Sequence, residues 1–275
     1  MKYLDMKGTR VPALGLGTWQ LSGGACIEAV SEALGLGYRH IDTAQMYGNE
    51  AEVGRALRGS GVPRDEIFLT TKVAPGNLAA ADVRRSTEES LRRLGLDHVD
   101  LLLIHWPSGE APLGETLGAM EALRDAGKTR FIGVSNFNVA LIDEAIERHG
   151  ADLLCNQVEY HPFLSQRAVL AALSRRGMML TAYAPLARGA VGRDATLAAI
   201  ARRLGKSPAQ IALRWLIEQD GVAAIPKAAR REHLAANIDI FDFSLAAEDR
   251  TAIDARRGER RLVDPGGWSP RWDPP

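Results

Sequence analysis

The chain has 275 residues, 46% of them hydrophobic, and its 34 Lys and Arg balance 34 Asp and Glu to a net charge of zero. That apolar content is ample for a sizeable core, and no block of like charge exceeds a few residues, which argues against a nucleic-acid partner or a polybasic membrane anchor. The N-terminus lacks a basic stretch followed by an apolar run, and no apolar run is long enough to span a bilayer. Cys26 and Cys155 stand far apart among apolar neighbours, without metal-ligand spacing, and read as buried reduced thiols. The expected setting is cytoplasmic.

Lys2–Met6 and Thr9–Pro12, joined around Lys7-Gly8, read as a β-hairpin. A βα rhythm then begins, with strands expected at Leu14–Thr18, Tyr38–Asp42, Ile67–Lys72, Val99–His105, Phe131–Ser135, Leu153–Val158, Met179–Tyr183 and Val222–Ile225. Helical spacing links Ile27, Val30, Ala33 and Leu34, then Val83, Thr87, Leu91 and Leu94, then Leu117, Met120 and Leu123, then Leu141, Ala145 and Ile146. Asn77 precedes the third helix, and Ser207-Pro208 supplies a capping hydroxyl with proline at the first helical position. Gly35, Gly127 and Gly177 follow helical runs as left-handed caps. Continuous apolar runs such as Leu101–Ile104 suit parallel strands buried on both faces. Eight such units match the whole length, so a single (β/α)8 barrel over residues 1–275 is the economical fold. Residues 1–13 form its hairpin, and 258–275 a tail over the active-site side. An open doubly wound sheet satisfies the same βαβ pattern.

Parallel barrels build their sites from the C-terminal ends of the strands. Those ends are Thr18-Trp19, Asp42, Lys72, His105-Trp106, Ser135-Asn136, Gln157, Tyr183 and Pro226-Lys227. Singly, each is weak evidence: a strand-end lysine is usually a solvated charge, and a lone histidine is more often structural. Together they place an acid, an amine, an imidazole and a phenol at one mouth. A phenol needs its phenolate stabilised to work near neutral pH, and Lys72 beside Tyr47 would do that, with Asp42 holding the lysine charged. His105 would hydrogen-bond a substrate carbonyl, and Trp19 and Trp106 would exclude water. The chemistry these types suit is proton transfer to a carbonyl oxygen as it receives hydride. A Schiff-base aldolase built on Lys72, or a barrel kept as a cofactor-sensing or subunit-binding module, are the alternatives.

The stretches GYRHIDTAQMYGNEAEVG (Gly37–Gly54), RFIGVSNF (Arg130–Phe137) and IPKAARREHLAANI (Ile225–Ile238) resemble the three signature regions of the aldo-keto reductase superfamily. The overall pattern resembles bacterial-type members that reduce small dicarbonyls and keto-sugar acids. The resemblance implies a (β/α)8 barrel and a catalytic tetrad of Asp42, Tyr47, Lys72 and His105, with Tyr47 as general acid. It implies NAD(P)H binding without a Rossmann fingerprint. Gly15-Leu16-Gly17 and Gly35-Leu36-Gly37 both lack the third glycine and read as turn glycines. By the same resemblance, Ser135, Asn136 and Gln157 hold the carboxamide, Tyr183 stacks on the nicotinamide, and Pro185-Leu186 lie along the pyrophosphate, with Thr18, Trp19 and Asp42 beside the cofactor.

The third region departs from the family pattern. Around Ile225, Pro226, Lys227 and Arg230, Ala228 stands where a hydroxyl residue is usual, and His233 where an arginine is usual. Both changes weaken a grip on the 2′-phosphate, so NADPH is the default cofactor with NADH tolerated. Asn237 matches the residue expected near the adenine, and Trp268 in the tail is a candidate for the substrate pocket beside Trp19, Tyr47, His105 and Trp106. His161-Pro162 carries no ligand spacing, so no metal is expected. The partner expected is a small carbonyl substrate, acted on by a monomer.

Overall fold

The computed structural model describes residues 1–109 and 111–274. Glu110, in the connection after the fourth barrel strand, and Pro275, the end of the expected tail, lie outside the described residues. Strands β1 (Tyr3–Met6) and β2 (Thr9–Pro12) pair antiparallel. Lys7 and Gly8 sit at φ 46° and 77°, the two positive values that a tight hairpin turn needs.

Eight parallel strands follow, each paired with the next: β3 (Leu16–Gly17), β4 (His40–Asp42), β5 (Phe68–Val73), β6 (Val99–Ile104), β7 (Thr129–Ser135), β8 (Leu153–Glu159), β9 (Met179–Tyr183) and β10 (Val222–Ala224). The curled sheet closes on itself: Gly15 N donates to Ala224 O at 2.9 Å, Ala224 N to Ala13 O at 2.8 Å, and Gly17 N to Pro226 O at 3.2 Å. Closure depends on glycine, because a Cβ on Gly17 would stand 2.8 Å from Ile225 O. Gly15 and Gly17 are therefore close-packing residues of the first strand, not turn glycines. Every residue of β6 is buried, as its unbroken apolar run requires.

Helices α1 (Gly23–Gly35), α2 (Glu50–Gly59), α3 (Ala80–Leu94), α4 (Leu113–Asp125), α5 (Val139–Asp143), α6 (Arg167–Arg175), α7 (Ala195–Leu204), α8 (Pro208–Glu218), α9 (Arg231–Ile238) and α10 (Ala247–Asp254) cover the outside. The spacing read from sequence is the packed face: Val83, Thr87, Leu91 and Leu94 of α3 and Leu117, Met120 and Leu123 of α4 are all buried. Ser207 caps α8 in a reciprocal box with Gln210. Three expectations shift. Asn77 belongs to a separate 3-10 turn, Pro75–Asn77, and Ala79 precedes α3. Gly35 ends α1 in helical conformation, and the left-handed residue is Gly37 at φ 98°. The helix after β7 is α5 for five residues and then widens into a π-helical turn, Glu144–Arg148.

The hairpin closes the end where the strands begin. Lys2 Nζ donates to Ile217 O at 2.6 Å, Lys7 pairs with Asp152 ahead of β8, and Leu4 and Val11 are buried. Both thiols are free and buried, and burial pushes Cys26 up to about 11 and Cys155 up to about 12. His40 is buried with Nδ1 3.2 Å from Pro12 O, and Trp215 is core. No helix among the described residues is long and apolar enough to cross a membrane.

Candidate active site

Asp42, Lys72 and His105 arrive from the ends of β4, β5 and β6 at the mouth opposite the hairpin. Tyr47 comes from a 3-10 turn, Gln45–Tyr47, between β4 and α2. The Lys72 ammonium is fully buried and has an acceptor for each proton: Asp42 Oδ1 at 2.5 Å, Thr43 O at 3.0 Å and the Tyr47 hydroxyl at 3.2 Å. The other Asp42 oxygen accepts from Gln157 Nε2 at 2.8 Å. The rings of Tyr47 and His105 meet edge to face, 5.6 Å between centroids.

Electrostatics follow from this packing. Burial alone would lower Lys72, but Asp42 and Tyr47 outweigh it and hold the ammonium above its ordinary value. Burial raises the Tyr47 phenol, with Lys72 pulling part of the way back. Burial first, and the nearby Lys72 charge second, hold His105 well below 6.5, so its imidazole is neutral at pH 7. The His105 Nδ1 is buried with no hydrogen-bond partner among the described residues.

The residues expected at the nicotinamide also converge. Ser135 Oγ donates to Gln157 O at 2.7 Å, and Tyr183 OH donates to Asn136 Oδ1 at 2.8 Å. Asn136, at φ 64°, donates through Nδ2 to His105 O at 2.9 Å and Ser135 Oγ at 3.1 Å. Gln157 is held by Asp42 through Nε2, and its backbone carbonyl takes the Ser135 hydroxyl, so the two residues stand side by side at the mouth. Pro185 is buried and Leu186 half-buried, in a loop where Ala184, Ala187 and Arg188 all hold left-handed backbone at φ 47–49°. Strain of that kind persists where surrounding structure over-determines it, commonly at ligand sites. Ile225, Pro226 and Ala228 are buried while Lys227, Arg230 and His233 are exposed, and the two cations Lys227 and Arg230 suit phosphate. Arg230 is already engaged, 2.9 Å from Glu232 and 2.7 Å from His233 Nε2. Asn237 lies on the buried face of α9 with Leu234.

At the rim, Thr18 is buried with Oγ1 on Asp42 O at 2.9 Å, and Trp19 is 45% exposed under the Arg188 guanidinium. Trp106 is buried, and the tail residue that packs on it is Trp272, at 6.3 Å edge to face, sandwiched from behind by Arg261. Trp268 makes no ring contact among the described residues; its backbone closes a local turn on Pro265 O. The tail is fastened by Glu159, a fully buried carboxylate that accepts from Leu262 N at 2.8 Å, Val263 N at 2.9 Å and His161 Nε2 at 2.9 Å. Sequence reading missed Trp272, Glu159 and Asn49. Only Asn49 carried a signal, lying inside the first signature stretch as a helix opener. Among the described residues no cluster of three His, Cys, Asp or Glu could hold a metal ion.

A family model described as "Aldo/keto reductase family" matches residues 13–257. The chain belongs to the aldo/keto reductase family. It is 44% identical over 266 residues to the methylglyoxal reductase DkgB of Salmonella typhimurium (strain LT2), covering 96% of this chain and 99% of that protein. An aldo-keto reductase of Mycobacterium avium (strain 104) is 43% identical over 92% of this chain and 89% of its own length. Among solved structures, a putative 2,5-diketo-D-gluconic acid reductase B superposes with a TM-score of 0.97 at 46% identity, covering 99% of this chain and 98% of that one. The aldose reductase of Schistosoma japonicum does so at 0.93 and 32% identity, covering 98% and 96%. This aldo-keto reductase is thus a (β/α)8-barrel oxidoreductase of carbonyl groups that depends on a nicotinamide cofactor.

Proposed function

We propose that the chain reduces the aldehyde or ketone group of a small carbonyl compound to an alcohol, with Tyr47 as the proton donor. The observation that carries this reading is the buried ammonium of Lys72, held between Asp42 Oδ1 at 2.5 Å and the Tyr47 hydroxyl at 3.2 Å. When bound, the dinucleotide supplies the hydride. Tyr47 then gives its phenolic proton to the carbonyl oxygen, and the phenolate left behind is stabilised by the Lys72 charge. Asp42 keeps that lysine protonated. His105, neutral at pH 7, donates a hydrogen bond from its ring to the carbonyl oxygen and so orients it. Trp19 and Trp106 limit water around the reacting atoms. A lysine whose three protons are all engaged is a poor amine nucleophile, which argues against Schiff-base chemistry.

Ser135, Asn136, Gln157 and Tyr183 would hold the nicotinamide end, with Thr18, Pro185 and Leu186 lining the path outward. Lys227 and Arg230 would meet the adenosine phosphate. NADPH is the default cofactor, and NADH is accepted because Ala228 and His233 leave the 2′-phosphate a weaker grip, with Arg230 shared with Glu232. The names of the similar proteins, a methylglyoxal reductase and a diketo-gluconic acid reductase, favour small dicarbonyls as substrates. We take the working form to be a cytoplasmic monomer; the buried free thiols fit a reducing compartment.

The test is to mix purified protein with NADPH or NADH and a carbonyl panel, following the nicotinamide absorbance, for the parent and for Tyr47→Phe. A general acid contributes about 10²-fold or more, so the variant should bind cofactor normally and lose at least that factor in kcat. Retention of more than about a tenth of the parent kcat refutes the role given to Tyr47.

A further inference from the structure

Asn49 opens α2 at the position where an asparagine ordinarily turns its side chain onto the free amides of its own helix, a cap worth about 1 kcal/mol. It makes no such bond. Its Nδ2 donates instead to Thr18 O at 2.8 Å and Leu21 O at 2.9 Å, and its Oδ1 accepts from Thr43 Oγ1 at 2.7 Å. The side chain is fully buried. A local cap has been given up for two bonds that cross to another loop and one that closes the loop before the helix.

Those partners stand on either side of the tetrad. Thr18 donates through both its amide and its hydroxyl to Asp42 O. Thr43 O accepts from Lys72 Nζ. Between Thr43 and Asn49 runs the turn that carries Tyr47, and each of its three residues keeps part of its surface exposed. Met46 is 45% exposed. Polar ties rather than core packing therefore hold the turn, and they lie at its two ends. Gln45 Oε1 accepts from Ala74 N at 2.9 Å and Asn77 Nδ2 at 3.0 Å, and Asn49 fixes the other side.

We infer that Asn49 is a positioning residue for Tyr47: its amide ties the Thr43–Asn49 loop into a ring and clamps that ring to the Thr18–Leu21 loop, keeping the phenol within reach of Lys72. This rests on the reading of Tyr47 as proton donor. The Lys72–Tyr47 contact of 3.2 Å is at the long end for a hydrogen bond, so a small relaxation of the loop breaks it.

The test compares Asn49→Ala, Thr43→Val and Thr43→Ser with the parent, in NADPH-dependent carbonyl reduction and in NADPH binding by quenching of protein fluorescence. A misplacement near 1 Å costs up to about 10²-fold, so kcat should fall about tenfold or more in Asn49→Ala and Thr43→Val, with KM and cofactor Kd within about threefold. Thr43→Ser keeps the hydroxyl and should retain kcat within about twofold. If Asn49→Ala does not fold, Thr43→Val carries the test, since it removes only the hydroxyl that donates to the same amide. Unchanged kcat in the variants overturns the assignment, and so does a parallel loss of kcat, cofactor affinity and melting temperature, which marks a merely structural residue. A parent protein that reduces no carbonyl of the panel overturns the reductase reading and this assignment with it. A parent that turns over beside unimpaired variants overturns the assignment alone.

Discussion

Replacing Lys72 by methionine, Asp42 by asparagine, and then both, separates what the buried pair does for stability from what it does for chemistry. The two side chains are 0% and 1% exposed and touch at 2.5 Å. Removing one partner leaves the other charge in the interior, which costs about 3–5 kcal/mol. At about 2–4 °C per kcal/mol for a domain of this size, each single variant should melt roughly 10 °C below the parent. The double variant should recover most of that loss, because replacing both charges leaves no uncompensated ion. The sign with pH follows from the raised Lys72 value: the lysine's contribution is full below 10.5 and is lost as pH rises through the folded-state value. The assay is thermal unfolding by circular dichroism between pH 5 and 9, with carbonyl reduction measured alongside. All three variants should lose activity whatever their stability. A double variant that melts no higher than the worse single variant refutes the reasoning.

With Tyr47 raised above 10 and His105 held well below 6.5, kcat/KM for reduction should be level between those two values; an ionisation inside that window that disappears in His105→Gln contradicts the assignment. The ratio of kcat/KM for NADPH over NADH should stay below about 10³, or about 4 kcal/mol, and Ala228→Ser with His233→Arg should raise it; a parent ratio above that bound removes any functional effect of the two residues. Trp272→Ala should raise substrate KM severalfold with cofactor Kd unchanged, while Trp268→Ala leaves both alone; the reverse pattern restores Trp268 to the pocket wall.

The barrel, and the meeting of Asp42, Tyr47, Lys72 and His105 at its mouth, were legible because each strand end is marked in its own stretch of sequence. β5 carries Lys72 one residue before its end and β6 is followed directly by His105, where the strand pattern places them. The tail was not legible. Trp272 and Trp268 stand in similar Pro-rich surroundings, and the choice between them depends on where Glu159 catches Leu262 and Val263, a contact across more than a hundred residues. Asn49 shows the same limit at shorter range. Its type and place announce a helix cap, and only the fold shows the amide spent on Thr18, Leu21 and Thr43 instead. Gly15 and Gly17 were misread for a related reason, since a close approach of His40 or Ile225 leaves no mark beside the glycine itself.

The buried pair also bears on why the site is built as it is. A lysine and an aspartate at interior positions could give way to apolar residues of similar volume at no loss of stability, and often at a gain. Packing therefore gives no reason for them. The lysine's three acceptors lie on three chain segments with different duties: Asp42 on a strand, Thr43 O in the loop, and the Tyr47 hydroxyl on the turn. A charge satisfied in this way fixes the phenol against the barrel wall and lowers the cost of making it a phenolate. On the proposed reading, the same contacts that make Lys72 tolerable in the core make Tyr47 usable as an acid, and substitutions that loosen the turn should be felt in kcat before they are felt in folding.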